Sequence, residues 1–341
     1  MWTGVVFALA AGLMWGLVFV GPLLLPEYPA VLQTVGRYLA FGLIALPMGW
    51  LDRRELGKLS RADWLEALKL AAVGNLLYYL CLSSAIQRAG GPLPTMMIGT
   101  LPVVIGISAN LRNHQRDGRL PWRQLAPSLA LIALGIACVN QVELQALRQN
   151  PQADTWAYAM GGLLAAGAVL CWTWYPLRNA DWLRGHPNRS PRTWATAQGL
   201  ATLPLAALGY LAFGGYAVTS DLAFAMPFGP RPALFIGLMV AMGLFASWLG
   251  TMCWNEASQR LPTATVGQLC WWVACCGPHV FSPSRWGWHC QRSKGQSCMK
   301  NDPPGKLGQV GHAALFEIVN SQRGVIDAHR HLGFVPIPTT V

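Results

Sequence analysis

The chain has 341 residues, 53% of them apolar and only 11% charged, with 16 Trp and 36 Gly and a mean hydropathy of +0.34. Soluble domains carry roughly 25% charged residues, so this chain lacks the polar surface to coat a water-soluble globule, which excludes an ordinary cytosolic enzyme. The formal charge of +11 does not point to nucleic acid, because the 25 Lys and Arg fall in short clusters between long uncharged stretches instead of along one basic face.

A span needs about 20 mostly apolar residues to cross roughly 30 Å of hydrocarbon, and only a helix satisfies its own backbone polar groups there. Eight stretches meet that requirement: Trp2 to Leu25, Ala30 to Trp50, Ala67 to Ile86, Leu93 to Leu111, Leu125 to Val142, Trp156 to Tyr175, Trp194 to Phe213 and Ala233 to Trp254. A shorter ninth runs from about Leu261 to Cys276. The first stretch has no basic leader and no charge before Glu27, and it is longer than a signal h-region, so it is expected to be a retained span. The expected fold class is an all-α polytopic membrane protein.

Lys and Arg in short connections resist translocation, so their distribution sets orientation. The loop after the second span holds Arg53, Arg54, Lys58 and Arg61; that after the fourth holds Arg112, Arg116, Arg119 and Arg123; that after the sixth holds Arg178, Arg184, Arg189 and Arg192. The loops between hold Arg88, Arg148 and Arg231, and the first loop holds none, so the counts alternate 0, 4, 1, 4, 1, 4, 1. A missed span would break that phase. The alternation predicts a cytoplasmic N-terminus in an integral membrane protein, and the expected location is the bacterial inner membrane. Trp50, Trp64, Trp122, Trp156, Trp182 and Trp194 fall at span ends, where an indole suits the headgroup level.

The chain also repeats itself. Ala85-Ile86-Gln87-Arg88 followed by Leu93-Pro94-Thr95 and Ile98-Gly99-Thr100-Leu101 matches Ala257-Ser258-Gln259-Arg260 followed by Leu261-Pro262-Thr263 and Val266-Gly267-Gln268-Leu269. Ala10-Ala11-Gly12 and Ala165-Ala166-Gly167 form a shorter match, which chance similarity between apolar helices explains as well. The units are offset by five spans, an odd number, so the second enters the membrane from the opposite side as an inverted repeat. The expected layout is residues 1–143 as a first unit of five helices, 153–269 as a second, incomplete unit, and 270–341 as a polar tail.

With these features the chain resembles an EamA-type member of the drug/metabolite transporter superfamily over about residues 4–269. The resemblance rests on Gly12-Leu13-Met14-Trp15-Gly16, Arg37-Tyr38, Gly74-Asn75-Leu76-Leu77-Tyr78-Tyr79, Leu101-Pro102, Cys171-Trp172-Thr173-Trp174-Tyr175-Pro176 and the stretch from Asn255 to Leu269. It implies ten helices in two inverted halves, a cavity between them, and export or uptake of a small metabolite or drug.

Residues 270–341 depart from that pattern. They hold Cys270, Cys275, Cys276, Cys290 and Cys298, five of the nine Cys, with five of the seven His and no further apolar run of span length. A zinc module is one reading, but the spacing does not pair two C-x2-C motifs and the cluster starts inside an expected helix. The other reading is a changed reading frame near Leu269 that replaces the last two helices; no metal or cofactor is expected.

Polar groups inside spans are costly in lipid and mark candidate sites. Asn75, Tyr78 and Tyr79 share one helix face, and Trp15, Trp172 and Tyr175 offer aromatic surface on the first and sixth spans. Together with Arg37 they form the candidate substrate cavity; each also suits helix packing taken singly. Arg37 lies within snorkelling reach of an interface, so an anchor and a cavity-facing cation both remain open. Lys69 reads as an anchor, and Glu256 is a weak candidate for a coupling proton. Gly12 and Gly16 form a G-x-x-x-G suited to close helix approach. No phosphate loop or H-E-x-x-H occurs, so the chain is not expected to be an enzyme. The expected partners are the lipid bilayer and a small-molecule substrate, with no nucleic acid; homodimerisation is left open. The expected function is secondary transport, and the alternative is a non-transporting membrane protein, a relic or scaffold without a complete second half.

Overall fold

The computed structural model describes residues 2–112, 154–220 and 226–261, together with scattered single positions that include Phe224, Thr265–Gly267, Leu269 and Cys270. The chain divides into Met1–Val280 and Phe281–Val341, and every feature below belongs to the first unit; the second lies outside the described residues. Among the described residues all regular structure is helical. Seven apolar helices follow in order: α1 (Trp2–Leu24), α2 (Ala30–Leu51), α3 (Arg61–Ala89), α4 (Pro92–Ser108), α5 (Thr155–Gly185), α6 (Pro191–Thr219) and α7 (Pro232–Arg260). Six of them are long enough to cross a bilayer, while α4 is shorter in its apolar part, although its helical path continues to Arg112. The fifth expected span, Leu125 to Val142, and most of the ninth lie outside the described residues, so a count of eight is not reached among them.

Local chemistry sets the helix limits. Ser60 and Asp63 form a capping box at the start of α3: the Ser60 backbone N–H donates to Asp63 Oδ2 at 2.8 Å and the Asp63 N–H donates to Ser60 Oγ at 3.2 Å. Asp154 caps α5 by accepting from the Ala157 N–H at 2.9 Å, and α6 and α7 open on Pro191 and Pro232. Gly90, at φ +75°, takes the left-handed turn that stops α3.

Lipid tails are as apolar as Leu, so these helices associate by close packing and interior hydrogen bonds instead of by escape from water. α2 lies along α6, α3 along α5, and α1 along α7. A Cβ added to Gly74 would stand 2.1 Å from Tyr175 Cδ2, and one added to Gly12 would stand 2.1 Å from the Cys270 carbonyl oxygen. Gly12 therefore serves close approach, while Gly16 marks the junction between the helical pieces Trp2–Trp15 and Leu17–Leu24. The polarity is inside out. Gln33, Arg37, Asn75, Gln198, Thr202, Ser247 and Asn255 are buried, whereas Leu43, Leu163, Leu170, Leu208 and Leu211 face outward.

Two helices unwind at their middles. Leu70–Leu77 of α3 and Met242–Leu249 of α7 are eight-residue π-helical segments. Leu70 and Met242 are 172 positions apart, the same separation as Ala85 and Ala257 in the sequence repeat.

The loops sort to two ends. At the basic end Arg178 grips Glu66 with both arms, at 2.9 and 2.8 Å, Arg112 meets Asp181 at 2.7 Å, Arg192 pairs with Asp52, and Arg189 donates to the Lys58 carbonyl at 2.8 Å. At the other end Gln87 donates to the Tyr28 carbonyl at 2.7 Å, the Tyr28 hydroxyl donates to the Phe228 carbonyl at 2.8 Å, and Arg231 pairs with Glu27.

Two tryptophans depart from the sequence expectation. Trp50 and Trp156 are exposed at span ends, but Trp182 and Trp194 are buried and stack on one another at 3.5 Å, donating to Asp63 and Asn179 instead of to headgroups. Their indole N–H groups find carboxylate and amide acceptors inside the bundle, which removes the need for an aqueous one.

Candidate functional site

Near the middle of the bundle a small cavity lies between α1, α2, α3, α5 and α7. Trp15 comes from α1, Arg37 and Tyr38 from α2, Asn75 and Tyr78 from α3, Trp172 from α5, and Ser247 and Thr251 from α7. Its volume is about 10 Å³, room for about one water.

Aromatic rings form much of the wall. Trp172 meets the edge of Trp15 at 5.1 Å, lies 4.8 Å from Tyr78 and stacks on Tyr175 at 4.7 Å. Aromatic pairs at these separations hold each other in fixed orientations. Gly74 makes the arrangement feasible, since no side chain separates α3 from the Tyr175 ring.

Arg37 is 4% exposed and does not reach either end of its helix. Its guanidinium sits 4.4 Å from the Tyr79 ring centroid and 4.9 Å from that of Tyr38. Nε donates to Ser247 Oγ at 3.1 Å and Nη2 to the Ala246 carbonyl at 3.3 Å, both on the π segment of α7. Nη1 is buried with no hydrogen-bond partner among the described residues, and Arg37 makes no ion pair among them. Of its two sequence readings, the cavity-facing cation is the one the geometry displays.

A chain of polar side chains leads away from the cavity. Asn75 Nδ2 donates to Thr202 Oγ1 at 3.2 Å, Thr202 donates to the Gln198 carbonyl at 2.6 Å, and Gln198 Nε2 donates to Asn179 Oδ1 at 3.0 Å. Asn179 Nδ2 then donates to Asn255 Oδ1 at 2.8 Å, and Tyr175 OH donates to Gln198 Oε1 at 2.7 Å. Buried amides linked in this way rigidify the surrounding helices.

The structure thus brings together all seven residues named from sequence, Trp15, Arg37, Asn75, Tyr78, Tyr79, Trp172 and Tyr175, although Tyr79 and Tyr175 act as backing rings behind the lining. Glu256 is elsewhere: it pairs with Arg260 at 2.5 Å near the basic end. Lys69 is half exposed at the same end, 3.9 Å from Glu66. Ser247, Gln198, Thr202 and Asn179 were not foreseen. A signal for Ser247 lies in its distance of 172 positions from Asn75, the same as that between Ala85 and Ala257 in the matching stretches. Among the described residues no cluster of three or more His, Cys, Asp or Glu forms a metal site, and the tail cysteines beyond Cys270 lie outside them. Cys81, Cys171 and Cys253 are free thiols within helices.

An inside-out helical bundle with a polar, aromatic-walled centre defines a polytopic membrane protein. Residues 2–141 match the EamA-like transporter family. The Escherichia coli (strain K12) inner membrane protein YtfF is 56% identical over 269 residues, which cover 79% of this chain and 83% of that one. A solved crystal structure aligns with 82% of this chain and 88% of its own at 17% identity and a TM-score of 0.57, a likeness of fold alone. The chain belongs to the EamA-like transporter family and is a membrane transporter of the drug/metabolite superfamily.

Proposed function

We propose that the chain is a secondary transporter of a small organic solute, residing in the bacterial inner membrane with its N-terminus in the cytoplasm, and working by alternating access between two inverted five-helix halves. The carrying observation is the pair of π segments 172 positions apart, one in each half and both at the cavity. Asn75 on the first reaches Thr202 on α6, and Ser247 on the second receives Arg37 of α2. Each half therefore contributes an unwound helix that bonds to a helix of the other, as an exchange about an axis in the membrane plane requires. π segments recur at functional sites, where they give a long helix a place to bend.

The location follows the YtfF relative, named an inner membrane protein, and the orientation follows the basic end, since loops rich in Arg remain on the cytoplasmic side. Glu256 is the coupling candidate this proposal carries. The test is flux into proteoliposomes across a panel of metabolites. Saturable flux is expected, and Trp172→Ala or Tyr78→Ala should lower it on the order of tenfold or more by removing wall contacts. No flux from correctly folded protein overturns transport and favours the second reading, a non-transporting membrane protein. That reading draws on residues 270–341, whose Cys- and His-bearing composition departs from the preceding spans. The proposed cause is a changed frame near codon 269; an absence of apolar helices in the alternative frames of the DNA overturns that cause.

A further inference from the structure

We infer that the transported solute is an organic monocarboxylate whose carboxylate docks on Nη1 of Arg37 and whose apolar body lies against Trp15, Trp172 and Tyr78. This assignment rests on the chain being a transporter whose solute passes through the central cavity.

Arg37 is buried, carries a guanidinium, and has no carboxylate partner among the described residues. Two aromatic faces, a hydroxyl and a backbone carbonyl share its charge, but all four are neutral groups. Stability alone gives no reason for such a cation at the centre of a bundle, because a neutral side chain of similar length would cost less there. Each ion pair among the described residues lies at an end, with its acid supplied by the chain, as for Arg192 with Asp52. At the centre no acid among the described residues pairs with Arg37, and one arm of the guanidinium is left over.

The class of anion follows from the surroundings. Arg37 is the one charged side chain among the described residues of the lining, so the site balances a single negative charge. A carboxylate matches the planar fork of a guanidinium and one unit of charge, whereas a phosphate monoester brings nearly two. A bare halide makes no use of the aromatic wall that Trp15, Trp172 and Tyr78 form beside Arg37. An alkyl or aryl body lies along that wall, and the same body excludes water, which strengthens the ion pair. Nε and Nη2 are already tied to the π segment of α7, so a carboxylate on Nη1 adds a bridge to that segment.

The experiment uses the purified full chain in detergent, titrated by calorimetry with phenylacetate and isovalerate, their amides, phenethylammonium and sodium chloride. At least one carboxylate is expected to bind on the order of tenfold or more tighter than its amide. Arg37→Gln should abolish that preference while leaving the elution volume and thermal midpoint unchanged or improved, since it removes an unpaired buried charge. Arg37→Lys should keep part of the preference, retaining the charge without the fork. Equal binding of the amides, binding of phenethylammonium or chloride alone, an unaltered preference in Arg37→Gln, or no binding of any probe overturns the inference. Flux in the metabolite panel is scored separately: neutral or cationic solutes moving without carboxylates leave transport standing and this assignment refuted.

Discussion

Single side chains show where sequence reading succeeds and where it fails. Arg37 was ambiguous because seven residues from a helix start is within reach of water for so long a side chain. What decides the matter is a pair of rings on different helices, Tyr38 and Tyr79, and the position of Tyr79 opposite Arg37 cannot be read from either segment alone. Trp182 and Trp194 failed for the converse reason. Their place at span ends suggested headgroups, but Asp63 and Asn179 stand beside them across the bundle. Glu27 gives a testable case outside the spans. Burial pushes its carboxyl up, but its backbone hydrogen bond and the Arg231 guanidinium outweigh that and hold it below the ordinary value of 4.5. A lowered carboxylate contributes stability above its unfolded pKa and loses it as pH falls through the folded one. Thermal midpoints of wild type and Glu27→Gln should therefore differ by a small constant amount from pH 7 to about pH 5 and converge below about pH 4.

Helices as units were legible in existence and blurred in detail. Six of the eight expected spans appear among the described residues as helices long enough to cross a bilayer, several of them longer than their apolar run, and Leu93 to Leu111 appears as a shorter apolar helix, because a run of about 20 apolar residues has no other use in lipid. The extended starts of α3 and α6 escaped because polar caps and charged first turns carry them beyond the apolar window. The π segments escaped because hydropathy does not register a change of helical pitch. Small residues mark the tight crossings. Gly74→Ala places a methyl against the Tyr175 ring, and the clash outweighs the gain of about 1 kcal/mol in helix propensity. We expect a net loss of about 1–2 kcal/mol, seen as a lower thermal midpoint, together with reduced flux as Tyr175 is pushed onto Trp172.

For the molecule as a whole, arginine counts in loops proved more informative than any motif. The loops with four basic residues meet each other through Arg112, Arg178, Arg189 and Arg192, while Glu27, Gln87 and Arg231 gather at the far end. Contacts of this kind fix which loops share a side but not which side faces the cytoplasm. With native cysteines replaced, a membrane-impermeant maleimide added to intact cells should label Arg88→Cys and spare Arg54→Cys until the membrane is opened. Labelling of both in sealed cells, or of Arg54→Cys alone, contradicts the assigned orientation. The central cavity was only half legible. Its aromatic and Arg members announced themselves as costly or bulky residues in spans, whereas Ser247 and Thr202 are small hydroxyls that helices tolerate anywhere.

The closure of the centre has an electrical consequence. Space for about one water beside stacked rings cannot hold an unbroken file of water through this cavity. Hydronium and sodium approaching from either compartment also meet the positive guanidinium of Arg37. In this conformation the cavity beside Arg37 therefore gives a bare cation no conducting route among the described residues.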